Sequence, residues 1–141
     1  MQAEPRAEVL KTAQDLIDAF EANDRDAYFG FFAPEASFIF HNTGHVMENR
    51  AAYEAEYDAW VQEAGFEVLE CTSSRQKVQI HGKLAVFTHQ LFTRVAMQGE
   101  EVAVAERESI IFHHQDGKWI AVHEHLSPLP GDPANDDDLP G

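Results

Sequence analysis

Four β-rich runs, about 66 to 80, 84 to 97, 101 to 114 and 118 to 127, follow one another, punctuated only by His81-Gly82-Lys83, Gln98-Gly99 and Asp116-Gly117. Turn pairs of this type reverse the chain within two or three residues, because glycine adopts the positive φ that tight hairpins need. Connections this short force sequential antiparallel pairing, and strands of this length must twist and curve. The second half of the chain is therefore expected to be a four-strand meander forming one bent sheet.

The first half reads as helical. Val9, Leu10, Ala13, Leu16, Ile17 and Phe20 recur at helical spacing, which predicts an amphipathic helix over about 6 to 22, ended by Asn23-Asp24. Asp24 can cap a short second helix carrying Ala27, Tyr28, Phe31 and Phe32, stopped by Pro34. Ala36 to His41 reads as a strand, Asn42-Thr43-Gly44 as a turn and His45 to Met47 as a short return. Asn49 is the cap candidate for a third helix marked by Ala52, Tyr53, Tyr57, Trp60, Val61 and Ala64, with Gly65 in the left-handed position beyond its end. The expected fold class is α+β, with three N-terminal helices packed on the concave side of a curved, mainly antiparallel sheet.

At 141 residues and 44% hydrophobic, the chain suits one domain, assigned to 1–128, followed by an acidic flexible tail over 129–141. The formal net charge of −15 repels polyanions, so nucleic acid is excluded as a partner. No apolar run suggests a signal peptide or a membrane span, so no membrane partner is expected. The single cysteine, Cys71, cannot form an internal disulfide, and a reducing cytoplasm is the natural compartment.

The segment His114-Gln115-Asp116-Gly117-Lys118-Trp119 runs into Ile120-Ala121-Val122-His123-Glu124-His125-Leu126-Ser127-Pro128. With the Asn23-Asp24 break, the Phe32-Ala33-Pro34-Glu35-Ala36 approach to the first strand and Gly44 before the third helix, it resembles a known pattern. This is the SnoaL-like, ketosteroid-isomerase-like branch of the nuclear-transport-factor-2 (NTF2-like) superfamily, close to the group containing the calcium/calmodulin-dependent kinase II association domain. The resemblance covers about residues 8 to 128. It implies a cone-shaped fold with a pocket between helices and sheet, often assembled as a homodimer across the outer face of the sheet. Because the superfamily hosts isomerases, cyclases, dehydratases, hydrolases and non-catalytic assembly domains, the resemblance fixes shape more than chemistry. The position of the ketosteroid isomerases' oxyanion-stabilising acid falls at or beside Glu108, whereas their general-base aspartate falls near Phe40 and their helix-one tyrosine near Leu16.

Alternation in the last strand places Ile120, Val122, Glu124 and Leu126 on one face and Trp119, Ala121, His123 and His125 on the other. The first set is more apolar and is assigned to the helix-covered face. The Asp116-Gly117 turn then brings residues near 108 opposite residues near 124, so Glu108 and Glu124 are candidate catalytic residues. Two carboxyls in a poorly solvated place cannot both ionise cheaply, and the raised pKa suits a general acid or base. The alternative is pairing with Arg94, Arg107 or Lys77, or a one-residue register error that turns both to water. Tyr53, Tyr57 and Trp60 on the third helix are candidate ligand contacts, with Phe40, Gln90 and Phe92 approaching from the sheet and Val122 and Leu126 from the last strand. A plain core is the alternative, preferred for Phe38 and Phe92.

The first functional expectation is thus a pocket protein for a small, mainly apolar ligand or substrate, doing cofactor-free isomerase, cyclase or dehydratase chemistry. A second is a non-catalytic ligand-binding or homo-oligomerisation module using Trp119, His123 and His125 as interface. A third is metal-dependent or hydratase chemistry through the histidines, with His89 assigned the outward face beside His123 and His125 and with His41 and His45 flanking the first turn. No spacing matches an established metal signature, and no metal or cofactor is assigned.

Overall fold

The computed structural model describes residues 4–132. Its elements are α1 (Pro5–Glu21), α2 (Arg25–Phe29), β1 (Phe32–Phe40), α3 (Arg50–Ala64), β2 (Glu67–His81), β3 (Leu84–Met97), β4 (Glu100–Gln115) and β5 (Lys118–Pro128). The five strands form one curved sheet in the order β1-β5-β4-β3-β2. The fold is α+β, and β2 to β5 are the expected antiparallel meander. The expected flexible tail begins among described residues, where the Leu129 amide donates to the Ala105 carbonyl at 3.0 Å; its residues 133–141 lie outside them. Among the described residues no helix is long and apolar enough to cross a membrane.

Local chemistry sets the helix ends. Asn23, at φ 58°, clamps α1 to β2 by donating to the Val68 carbonyl (2.9 Å) and accepting from the Val68 amide (2.8 Å). Asp24 caps α2 by accepting from the Ala27 amide, and Asn49 caps α3 by accepting from the Ala52 amide at 2.8 Å. Gly65 ends α3 at φ 66°.

The second helix is shorter than its sequence predicts. It stops at Phe29, and Phe31 and Phe32 have left the helix, because Phe32 is buried in the core and the Phe31 carbonyl accepts from the Ala121 amide at 2.9 Å. β1 therefore starts ahead of Pro34 rather than at Ala36. Proline is accommodated because β1 is an edge strand, paired parallel to β5, with an irregularity between Phe32 and Ser37. The short return strand is a single bridge from Met47 to Phe38.

A second departure decides the site. In the β4–β5 ladder Ile111 faces His123 but Phe112 faces Ala121, so Val122 is an unpaired bulge residue. The extra residue inverts the alternation on its N-terminal side. Trp119 and Ala121, expected on the outer face, are buried under the helices with Glu124, and Trp119 Nε1 donates to Glu8 Oε1 of α1 at 3.4 Å. The core between helices and sheet is largely aromatic: Phe38, Phe87 and Phe112 are fully buried, and the Phe38 and Tyr53 rings lie 4.6 Å apart.

Candidate active site

Helices α1, α2 and α3 do not fill the concave side of the sheet completely. They leave a cavity of about 440 Å³ whose deep end is bounded by Tyr28, Tyr53, Glu108 and Glu124. Its wall is mostly apolar, with Leu16, Phe20, Phe40, Trp60, Phe66 and Leu126 among the lining side chains. His41, Asn42 and Val102, all with solvent exposure, mark the open end.

The carboxyl groups come from adjacent strands. Glu124 pairs in register with Ile110, and Glu108 with Leu126, so the two glutamates are diagonal neighbours on the inner face. They are 4% and 6% exposed, and their carboxyls are within hydrogen-bonding reach of each other. Burial pushes the Glu108 carboxyl up to about 7, while the hydrogen bond with Glu124 opposes that rise. Burial and then the adjacent Glu108 charge hold Glu124 well above the ordinary carboxylate range. Near neutral pH the pair holds one proton on Glu124, which donates to Glu108. Glu124 Oε1 is the one buried side-chain oxygen or nitrogen without a hydrogen-bond partner among the described residues.

The other partner of Glu108 is His89 on β3, whose Nε2 lies 2.6 Å from Glu108 Oε1. Burial lowers the His89 pKa to about 4, so the ring is neutral. With Glu108 as acceptor, the His89 proton sits on Nε2, and Nδ1 accepts from the Ser73 hydroxyl at 2.6 Å. Gln76 Nε2 in turn donates to Ser73 Oγ at 2.9 Å. This chain fixes the Glu108 carboxylate on its sheet side and leaves Glu124 on its cavity side. Tyr28 and Tyr53 hydroxyls bond each other at 2.8 Å, and burial, followed by the Glu124 charge, raises both phenols. At the open end His41 Nε2 meets Glu106 Oε2 at 2.5 Å.

Residues 9–131 match the profile of the SnoaL-like domain family. The chain belongs to that family. No curated protein matches it. Among solved structures, this SnoaL-like domain is similar to an NTF2-like protein from Cytophaga hutchinsonii (15% identity, 90% of this chain and 100% of that one, TM-score 0.77). It is similar also to a putative calcium/calmodulin-dependent protein kinase II association domain from Xanthomonas campestris (17% identity, 93% and 91%, TM-score 0.74). The calcium/calmodulin-dependent kinase II hub of S. rosetta superposes equally well (19% identity, 92% and 100%, TM-score 0.74).

Of the residues singled out from sequence, Glu108, Glu124, Phe40, Tyr53, Trp60 and Leu126 meet at the cavity of this SnoaL-like domain. Tyr57 does not line it; the ring is buried against Phe29 and Phe66, with centroids 5.5 and 5.7 Å away. Val122 is displaced by the bulge. Gln90 and Phe92 lie on the opposite face of the sheet, since the buried alternate set on β3 is Ala85, Phe87, His89, Leu91 and Thr93. Gln90 lines a separate depression there with Arg75, Arg107 and His125.

The same parity corrects His89, which faces the interior and cannot join His123 and His125 on the outer face. His123 instead bonds Ser37 Oγ through Nδ1 at 2.8 Å, and no group of three or more His, Cys, Asp or Glu suited to a metal ion forms among the described residues. The Arg94 alternative also resolves, because that guanidinium pairs with Glu70 and Glu101. Glu106 and Tyr28 go unrecognised as site residues by patterning, and His41 and His89 are considered from sequence only as metal ligands. For His89 a signal existed: Phe87 and Leu91, two positions away on either side, mark its face as the apolar one.

Proposed function

We propose that this SnoaL-like domain is a cofactor-free acid/base enzyme of isomerase, cyclase or dehydratase type, acting on a small, mainly apolar organic molecule held in the cavity. The observation that carries this reading is the Glu108–Glu124 pair, one carboxylate and one carboxylic acid side by side at the deep end of an apolar pocket. Glu108, poised near neutrality and held by His89, takes a proton from carbon; as its charge is lost, the Glu124 O–H turns its hydrogen bond from Glu108 to the carbonyl oxygen that receives the C–H electron pair. Returning the proton to another carbon completes an isomerisation. The apolar wall supplies most of the binding, as in most small-molecule sites. The buried Cys71 thiol, pushed up to about 12 mainly by burial, is inert and fits a reducing cytoplasm.

Hydrogen–deuterium exchange at carbon tests the reading. The protein is incubated in D2O with cyclic and aryl ketones small enough for the cavity, and loss of the α-proton signal is followed by NMR. Wild type should accelerate exchange of at least one ketone, and E108Q should lose about 100-fold or more of that acceleration. No acceleration with any ketone, or full activity in both E108Q and E124Q, removes the proton-transfer role.

Self-association is a second reading. Among the described residues no helix covers the outer face of the sheet, where Phe92 and Ile111 are only half-buried, and solved structures similar to this fold carry association or hub names. The interface so proposed contains Phe92, His123 and His125, without Trp119.

A further inference from the structure

Every strongly polar group at the deep end of the cavity is an acid or a neutral donor. Glu106, Glu108 and Glu124 all line the cavity, while among the described residues no Lys or Arg does. The nearest imidazole, His89, is neutral, and His41 at the open end is engaged by Glu106. The groups facing Glu124 are Glu108 and Glu106 from β4, His89 from β3, Tyr28 from α2 and Tyr53 from α3, and none of them is a cation. The ionised member, Glu108, is met by two neutral donors, His89 Nε2–H and the Glu124 O–H, so its charge is hydrogen-bonded but not neutralised, and a buried charge without an opposite charge is expensive. Glu124 has one oxygen satisfied and Oε1 unpartnered. Around this centre stand the rings of Tyr28, Tyr53, Phe40 and Trp60, whose faces attract a positive charge.

We infer that the ligand of this cavity is a nitrogen base with an apolar body, held as a cation between Glu124, Glu108 and the aromatic walls. This rests on the reading of the cavity as a ligand site, and not on the carbonyl reaction, because Glu124 ionised against a cation has no proton to give a carbonyl oxygen; it names the class of molecule the cavity takes. The nitrogen arrives by one of two routes to the same bound state. A neutral base takes the proton of Glu124: the O–H bond breaks, its electron pair stays on the carboxylate, and the nitrogen lone pair forms the new N–H bond. An ammonium ion instead drives that proton to solvent. Both leave two carboxylates facing one cation, which supplies the missing positive charge and the missing donor to Oε1. Anionic ligands meet the opposite situation, with like charge and no cation to receive them.

Three probes of one shape, phenylbutylamine, phenylbutanol and phenylbutanoate, separate the possibilities in calorimetric titrations of the full chain. The amine should bind at least about tenfold tighter than the alcohol, the scale of one charge-assisted hydrogen bond, and the carboxylate weakest. E124Q, with folding checked by circular dichroism, should weaken the amine about tenfold and leave the alcohol unchanged. Wild type alone provides an independent arm. Repeating the titration near pH 7 in buffers of different ionisation enthalpy should show net proton release on amine binding and none with the alcohol. Alcohol binding as tight as amine, or amine binding without proton release, overturns the inference while the cavity remains a ligand site. Binding of none of the three overturns both the inference and the ligand-site reading beneath it.

Discussion

At the scale of single residues, the acid pair carries a stability signature as well as a candidate reaction. Folding raises the pKa of Glu108 from 4.5 to about 7 and that of Glu124 further above its ordinary value. For an acid whose folded pKa is raised, the stabilising contribution is present below the unfolded pKa and is lost as pH rises through the folded one. His89 works in the other direction: its pKa falls from 6.5 to about 4, so its contribution is present above 6.5 and is lost as the solution is acidified toward 4. Wild-type stability should therefore fall as pH rises above about 7, where one retained proton is worth about 1.4 kcal/mol per pH unit. E124Q mimics the protonated acid and cannot ionise, so its urea-unfolding free energy should decline with a shallower slope. Parallel slopes for the two proteins would show that Glu124 is not the group whose ionisation strains the fold.

At the scale of elements, α3 holds Tyr53 and Trp60 at the cavity, and Asn49 caps its first turn. Asn49 Oδ1 accepts from the Ala52 amide, one of the helix's orphan donors, so N49A should cost about 1 kcal/mol in denaturant unfolding. A change under a few tenths would mean that water satisfies the first turn equally well. Such local chemistry is what the sequence displays most openly: Asp24, Asn49 and Gly65 mark helix ends, and Gly82, Gly99 and Gly117, at φ 63°, 80° and 79°, mark the strand reversals. What stays hidden depends on partners distant in sequence. The run Ile120, Val122, Glu124, Leu126 alternates as an unbroken strand would, and only pairing with β4 reveals the bulge at Val122. Glu124 keeps its inward place because the bulge lies on its N-terminal side, whereas Trp119 changes face. β1 runs through Pro34 because it is an edge strand, paired on one side only and parallel to β5, which no local rule encodes. The acid pair itself was legible from turn position and parity; its His89 support was lost by assigning β3 the wrong inner face.

At the scale of the whole molecule, the acidic excess sets how copies meet one another and how the fold responds to salt. Twenty-five acidic residues face ten basic ones, for a formal charge of −15. Several of the cations are already engaged, Arg25 with Asp58 and Glu54, Arg50 with Glu54, and Arg94 with Glu70 and Glu101. Exposed pairs such as Lys11–Asp15 contribute little, so the larger long-range effect is repulsion among the unpaired acids. Raising ionic strength from about 0.01 M to about 0.1 M shortens the screening length from roughly 30 to 10 Å. The melting temperature should then rise by about a few degrees; a fall would mean that attractive pairs outweigh the repulsion. The same screening bears on assembly, because two copies each carrying −15 must approach before Phe92 and its neighbours on the outer face can be covered. Sedimentation velocity at both ionic strengths should show association strengthening with salt and weakening in F92E. The wild-type melting temperature should be reproduced in that variant, since Phe92 lies outside the core beneath the helices. A single monomeric boundary at every salt and protein concentration would remove the self-association reading.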